Sequence, residues 1–262
     1  MDNFEEILHE IDQIKASCDY FVYGKSYLGQ DLIAFHKGSY DSAQLLITAG
    51  MHAREYISTK VVLNLLKDYT NDEGCYFIPL TNPDGVRMVL DGIDWIEDNL
   101  HKQFLLRINN SADFSLWKAN ARAVDLNVNF DALWGKSKFI KNLPQSGGWA
   151  GENSNSELEN VLLLDFIKNK QIKFSLAYHS KGEVVYYGFE KLTKNQLRIS
   201  KKIGKNIAKT LNYKLIQSKN SSGGLSDYLS YKYNIPSFTI ELGSDNLSHP
   251  ITFEYFNTLY KN

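Results

Sequence analysis

The sequence predicts an α/β protein, a sheet with helices on both faces. Two observations carry this. Apolar runs of strand length alternate with longer segments of helical periodicity along most of the 262 residues. No internal repeat or low-complexity tract interrupts the alternation, and a chain of this length has interior enough for one sizeable core. One domain over 1–262 is therefore expected, with 1–26 forming an N-terminal helix and a lead-in strand.

The elements follow in order. "MDNFEEILHEIDQIKAS" is acidic and amphipathic, with Phe4, Ile7, Leu8, Ile11 and Ile14 at helical spacing, and His9 falls in this helix. It has the features of neither a signal peptide nor a spanning segment, so a cytoplasmic protein is expected, unless lysis or a non-standard route releases it. His36 lies in a strand-like segment, "QLLITA" reads as a strand, and Tyr56 to Tyr69 reads as a helix. "CYFIPL" is a strand in which Cys75 is expected to be a buried thiol, and "NPDG" from Asn82 to Gly85 after it is a turn signal. From about Asp91 to Gly151 periodicity is weak, yet Trp95, Trp117, Trp134 and Trp149 argue for an ordered loop that walls a cleft. Just past that loop, Glu157 follows Ser154 at capping-box spacing. "KFSLAYH" is a strand, Lys191 to Leu211 a helix, "YKLIQ" a strand, Gly223-Gly224 a tight start to the next helix, and "PSFTIEL" the last strand.

The formal net charge is -1, with both signs interspersed. That pattern predicts no nucleic-acid partner and no anionic membrane partner, and it leaves oligomeric state open. Cys18 and Cys75 are too few for a disulfide framework.

In α/β sheets ligands gather at the carboxyl ends of strands. "TAGMH", "LAYHS" and "FTIELG" each set a chemically capable residue there. His52-x-x-Glu55 alone is a spacing that arises often by chance. Catalytic zinc takes three ligands from His and Asp or Glu, so a third is needed from elsewhere. His179 is the best candidate because it follows an apolar strand directly, whereas His9, His36, His101 in the polar loop and His249 beside Pro250 have no such setting. Glu241 sits in an otherwise apolar strand, where an ionised carboxylate without a partner costs several kcal/mol. A general base beside a metal-activated water would give it that partner.

"GMHAREYI", "LTNPDGV", "VDLNVNFD", "YHSKGEVVYY" and "SSGGLSDYLSYKYNIPSFTIELG" together resemble the zinc carboxypeptidase family in order and setting, from about Tyr27 onward. "YHSKGEVVYY" and "WKANARAVDLNVNF" are most similar to bacterial γ-D-glutamyl-diaminopimelate peptidases, which cut stem peptides of peptidoglycan. The resemblance implies a mixed, mostly parallel eight-stranded sheet between helices. It implies one Zn2+ held by His52, Glu55 and His179, with Glu241 as general base. Asp125 would support a ligating histidine, Arg54 would line the substrate cleft, and Asn127 would lie near a substrate carboxylate.

Two departures from the digestive-type pattern matter. Where those enzymes place an arginine after a tryptophan to stabilise the oxyanion, this chain has Trp117-Lys118, with Arg122 four residues on. Either cation could serve, and Arg122 could instead bind a substrate acid. The arginine that clamps a free C-terminus is replaced by Val128, and the tyrosine three residues before "SGG" by Lys219. Without that clamp the cleft should accept a continuing chain or an acid placed differently. Diaminopimelate and γ-linked D-glutamate bring such acids, and Arg54, Arg87, Arg107 and Arg122 are the cations available to them. The expected function is therefore hydrolysis of the γ-D-glutamyl to diaminopimelate-type bond. The alternatives are a metallocarboxypeptidase acting on ordinary peptides and a catalytically silent wall-peptide binder.

Overall fold

Eight strands join into one mixed sheet in the computed structural model, which describes residues 2–138 and 140–260. They are β1 (Asp19–Lys25), β2 (Asp31–Lys37), β3 (Gln44–Thr48), β4 (Cys75–Ile78), β5 (Ile172–Ser180), β6 (Val184–Tyr187), β7 (Lys214–Gln217) and β8 (Ser237–Leu242). Their order is β1-β2-β4-β3-β5-β8-β6-β7. The pairings of β3 with β4, β3 with β5, β5 with β8 and β6 with β7 are parallel, and the other three are antiparallel. The sheet is thus mixed and mostly parallel.

The helices are α1 (Phe4–Lys15), α2 (Ile57–Asp68), α3 (Pro83–Asp91), α4 (Asn99–Asn109), α5 (Leu158–Ile167), α6 (Lys194–Leu211), α7 (Leu225–Tyr233) and α8 (Phe256–Leu259). Strands in the middle of the sheet bury both pleat faces, so successive residues feed opposite cores. Ile47 packs with Phe77, Ile240 and the buried sides of α1 and α2. Its neighbour Leu46 packs with Ile78, Leu163 of α5 and Leu225 and Leu229 of α7. The apolar stripe Phe4, Ile7, Ile11 and Ile14 is the buried side of α1, as its spacing demands. Among the described residues no helix is long and apolar enough to cross a membrane.

Three readings from sequence change. "NPDG" is a helix start: Asn82 Oδ1 accepts from Gly85 N, and Pro83 takes the first position, where a missing N–H costs nothing. His101 lies on α4, inside the stretch read as loop, because Asp98 caps a short helix there through Leu100 N and His101 N. The capping box is absent: α5 begins at Leu158, and Glu157 itself is the cap residue without a side-chain cap bond. Its carboxylate is drawn inward by Asn120 Nδ2 at 2.8 Å and Ser156 Oγ at 2.7 Å.

Candidate metal centre and cleft

β3 delivers the chain to the middle of the sheet and stops at Thr48. Gly50 then turns with φ of 62°, where a Cβ would come within 3.2 Å of Pro79 O. The turn is fixed by Thr81 N and Asn82 N, which donate to Ala49 O and Gly50 O. His52 follows and precedes a single 3-10 turn, Ala53–Glu55. A three-residue period stacks residues three apart. His52 Nδ1 and Glu55 Oε1 accordingly stand 2.9 Å apart.

His179 reaches the same point from the end of β5. Its Nδ1 lies 3.1 Å from His52 Nδ1 and 3.0 Å from Glu55 Oε2. One ligand atom from each of these three buried residues falls within 4.8 Å of the others. Two imidazole nitrogens and a carboxylate converging on one point, with at most one proton between the rings, form a donor set suited to zinc. Burial would raise the Glu55 carboxyl, but the charges and ring N–H groups of His52 and His179 hold it well below the usual range.

Behind His52, Asp125 is wholly buried, and its Oδ1 lies 3.3 Å from His52 Nε2. Its Oδ2 meets Lys118 Nζ at 2.8 Å and accepts from Gly148 N at 3.0 Å. Burial opposes ionisation of Asp125, yet Lys118 and His52 together keep its carboxyl well below the ordinary value. The result is a continuous run from Lys118 through Asp125 and His52 to Glu55.

Glu241 is the register partner of His179 across the parallel pair β5 and β8. Burial pushes its carboxyl up to about 7, with His179 pulling it down and Glu55 pushing it up. It lines a cavity of about 790 Å³ together with His52, Lys118, Asn127 and Val128. Asn127 also holds the cavity wall, because its Oδ1 accepts from Leu225 N at the start of α7.

Not every candidate reaches this cavity. Arg122 meets Glu157 Oε1 at 3.5 Å and lies 5.7 Å over the Tyr27 ring. Arg54 donates to Leu116 O at 3.5 Å. Arg87 pairs with Asp91 and stacks 4.3 Å from Trp95, and Arg107 is exposed on α4. None of these four is among the residues lining the cavity. His36 is structural, bonded to Gln44 Oε1 at 2.9 Å and stacked on Tyr40.

Other cavity residues escaped the sequence reading. Tyr186, Gln217, Ser221, Ser226, Asp227 and Thr239 line it, as does Lys219. Thr239 was accessible in principle, since it precedes Glu241 by two residues and shares its pleat face. Asp227 sits within the quoted "SSGGLSDYL" but gives no sign that its carboxylate faces a cleft. His249 was set aside, yet it is close enough for the Glu55 charge to oppose the lowering that burial imposes on its imidazole.

The zinc carboxypeptidase profile matches residues 5–257. The γ-D-glutamyl-L-diamino acid endopeptidase 1 of Lysinibacillus sphaericus is 30% identical over 259 residues, covering 91% of this chain. The chain spans 63% of that relative's length. Among solved structures, carboxypeptidase A of Helicoverpa armigera superposes with a TM-score of 0.72 at 21% identity, over 99% of this chain and 70% of that one. The murein-tripeptide amidase MpaA of Escherichia coli O157 superposes with a TM-score of 0.59 at 22% identity, over 93% of this chain and 92% of its own. These likenesses of structure establish the fold.

Proposed function

This chain belongs to the zinc carboxypeptidase family of metallopeptidases, and from that premise we propose that it hydrolyses the γ-D-glutamyl to diaminopimelate-type amide bond of peptidoglycan stem peptides. The observation that carries the reading is the convergence of His52, Glu55 and His179, with His52 and Glu241 on the wall of a cavity that carries Val128 rather than a clamping arginine. The 30% identical relative, whose name specifies a γ-D-glutamyl-L-diamino acid bond, supports the substrate class.

His52, Glu55 and His179 would hold one zinc per chain. Bound zinc supplies positive charge that acidifies a water and polarises the scissile carbonyl. Glu241 takes the proton of the attacking water and returns it to the leaving amine. Its place on the cavity wall beside His52 suits both steps, because a carboxylate next to a bound cation can take up the water's proton and pass it on. Asp125 fixes the ring of His52 through Nε2, which leaves Nδ1 aimed at the ligand point. Lys118 is the cation lining the cavity beside His52, so charge developing on the carbonyl oxygen falls to it and not to Arg122. Asn127 bonds the substrate's acid group. The eight-stranded sheet with its helices acts as one catalytic domain.

The test is a defined muropeptide, L-Ala-γ-D-Glu-meso-diaminopimelate, incubated with the zinc-loaded chain beside an α-linked peptide of the same length. Products of mass corresponding to L-Ala-D-Glu and free diaminopimelate are expected. Cleavage confined to the α-linked peptide would refute the assignment.

A further inference from the structure

The balanced net charge hides a segregation. Between Lys191 and Lys219 the chain carries nine lysines and arginines and no aspartate or glutamate, although it holds 29 basic and 30 acidic residues in all. All nine are exposed. Among the described residues, Lys191 alone of the nine has an ion-pair partner, Glu190 at 4.0 Å.

Helix α6 organises most of these charges. Its inner side lies on the sheet, where Ser200, Gly204 and Ala208 are buried and a Cβ at Gly204 would meet Leu215 Cδ1 of β7 at 2.8 Å. Lys194, Arg198, Lys201, Lys205 and Lys209 succeed one another at steps of four and three. They therefore form one stripe along the outer side, about 22 Å long.

Helix stability does not account for the stripe. Like charges four residues apart repel, and the positive end of the dipole favours acids in the first turn. Yet Lys194 takes the first position, and the capping box at Thr193 is completed by Gln196 where a glutamate would serve. A merely solvated face alternates its signs. One that keeps a single sign against both effects suits an anionic partner.

The cations continue to the catalytic cavity. Lys214 stands on the edge strand β7, and Gln217 at its end and Lys219 just beyond it line the cavity with His52 and Glu241. The partner is thus an anion that spans the stripe and joins what enters the cleft. Of the large apolar side chains on α6 only Ile199 is exposed, and no exposed residue of this helix is aromatic, so it offers neither a wedge for a bilayer nor a stacking surface for bases.

We infer that α6 and β7 form a docking surface for polymeric peptidoglycan, holding carboxylates of neighbouring stem peptides while one stem enters the cleft. The inference rests on the proposed γ-D-glutamyl specificity, because each γ-linked D-glutamate leaves a free α-carboxylate and a wall strand repeats it at every stem.

The experiment compares the natural chain with one carrying Arg198→Gln, Lys201→Gln, Lys205→Gln and Lys209→Gln together, both zinc-loaded and full length. None of the four lines the cavity, and glutamine is a good helix former. The thermal midpoint and kcat/KM on soluble L-Ala-γ-D-Glu-meso-diaminopimelate should therefore stay the same. Co-sedimentation with peptidoglycan stripped of attached polyanions, and kcat/KM on multi-stem fragments, should both fall about tenfold or more at low salt, the lower end of what a patch of one sign adds to association. Salt at about 0.5 M should impose the same fall on the natural chain. Unchanged sedimentation of the variant, or equal binding of the natural chain to phosphatidylglycerol vesicles or single-stranded DNA, would overturn this inference alone. The functional reading is judged on the soluble tripeptide, which lacks neighbouring stems. Its resistance, with an α-linked peptide cut, would overturn that reading, and sedimentation would still decide the docking surface.

Discussion

His179 and Glu241 are register partners on neighbouring parallel strands, so the sheet itself sets the distance between a metal-facing imidazole and the proposed base. Neighbouring strands lie about 4.8 Å apart, and partners in a parallel pair point their side chains to the same face. Neither residue depends on a loop for its position. A site built on strands holds its geometry more tightly than one built on loops.

That relationship makes Glu241→Gln a clean probe. The amide keeps the shape and the register while it removes the basic oxygen, so zinc content measured by mass spectrometry should be unchanged. kcat should fall by about 10²- to 10⁴-fold, the usual worth of a positioned general base. A variant that retained activity with metal bound would remove Glu241 from the role.

Asp125→Asn tests the run behind His52. The wholly buried carboxylate balances Lys118 at 2.8 Å and touches His52 Nε2 at 3.3 Å. The amide leaves Lys118 without its counter-charge and loosens the ring orientation. Zinc affinity, read by competition with a chelator, should fall about 10- to 100-fold. A smaller loss in affinity with a large loss in kcat would instead locate the role of Asp125 in Lys118.

Chelation should unload the chain and lower its thermal midpoint. At a free metal concentration 1,000 times Kd, binding to the folded state contributes about 4 kcal/mol. Removing it leaves Glu55 facing two imidazoles at 2.9 and 3.0 Å in a buried site. Calorimetry before and after addition of zinc should show full recovery of the midpoint together with activity. Recovery of neither would contradict the assigned site.

Much of this site was legible in the sequence, and the physical reason differs by residue. His52, His179 and Glu241 each follow or end an apolar run, so their strand-end positions could be inferred from local pattern alone. Glu55 was legible only once His179 and Glu241 joined the three-residue spacing, which alone arises often by chance. The arginines were harder, because charge type says nothing about direction: Arg122 is turned to Glu157 and Tyr27 by a buried acid 35 residues away in sequence. Asp227 and Ser226 were unreadable for a related cause. Their exposure to the cavity depends on how α7 packs on β8, which no local pattern records. "NPDG" and His101 went astray because the same residues that make turns also cap helices.

The last prediction concerns stability and a second buried acid. Glu159 is wholly buried; Asn120 Nδ2 reaches its Oε2 at 3.3 Å, and its Oε1 has no partner. Burial, aided by the charges of Asp84 and Glu157, pushes its carboxyl from 4.5 up to about 7. Between those two values the folded chain holds a proton that the unfolded chain has released. Stability therefore falls as pH rises through that window and levels off above about 7, a loss on the order of 3 kcal/mol from this group. Glu159→Gln removes the titration and keeps the bond from Asn120. The drop in urea midpoint between pH 5 and pH 8 should be smaller in the variant, with the gain at pH 8. If the two proteins show the same change between these values, Glu159 is ionised in the fold and the account fails.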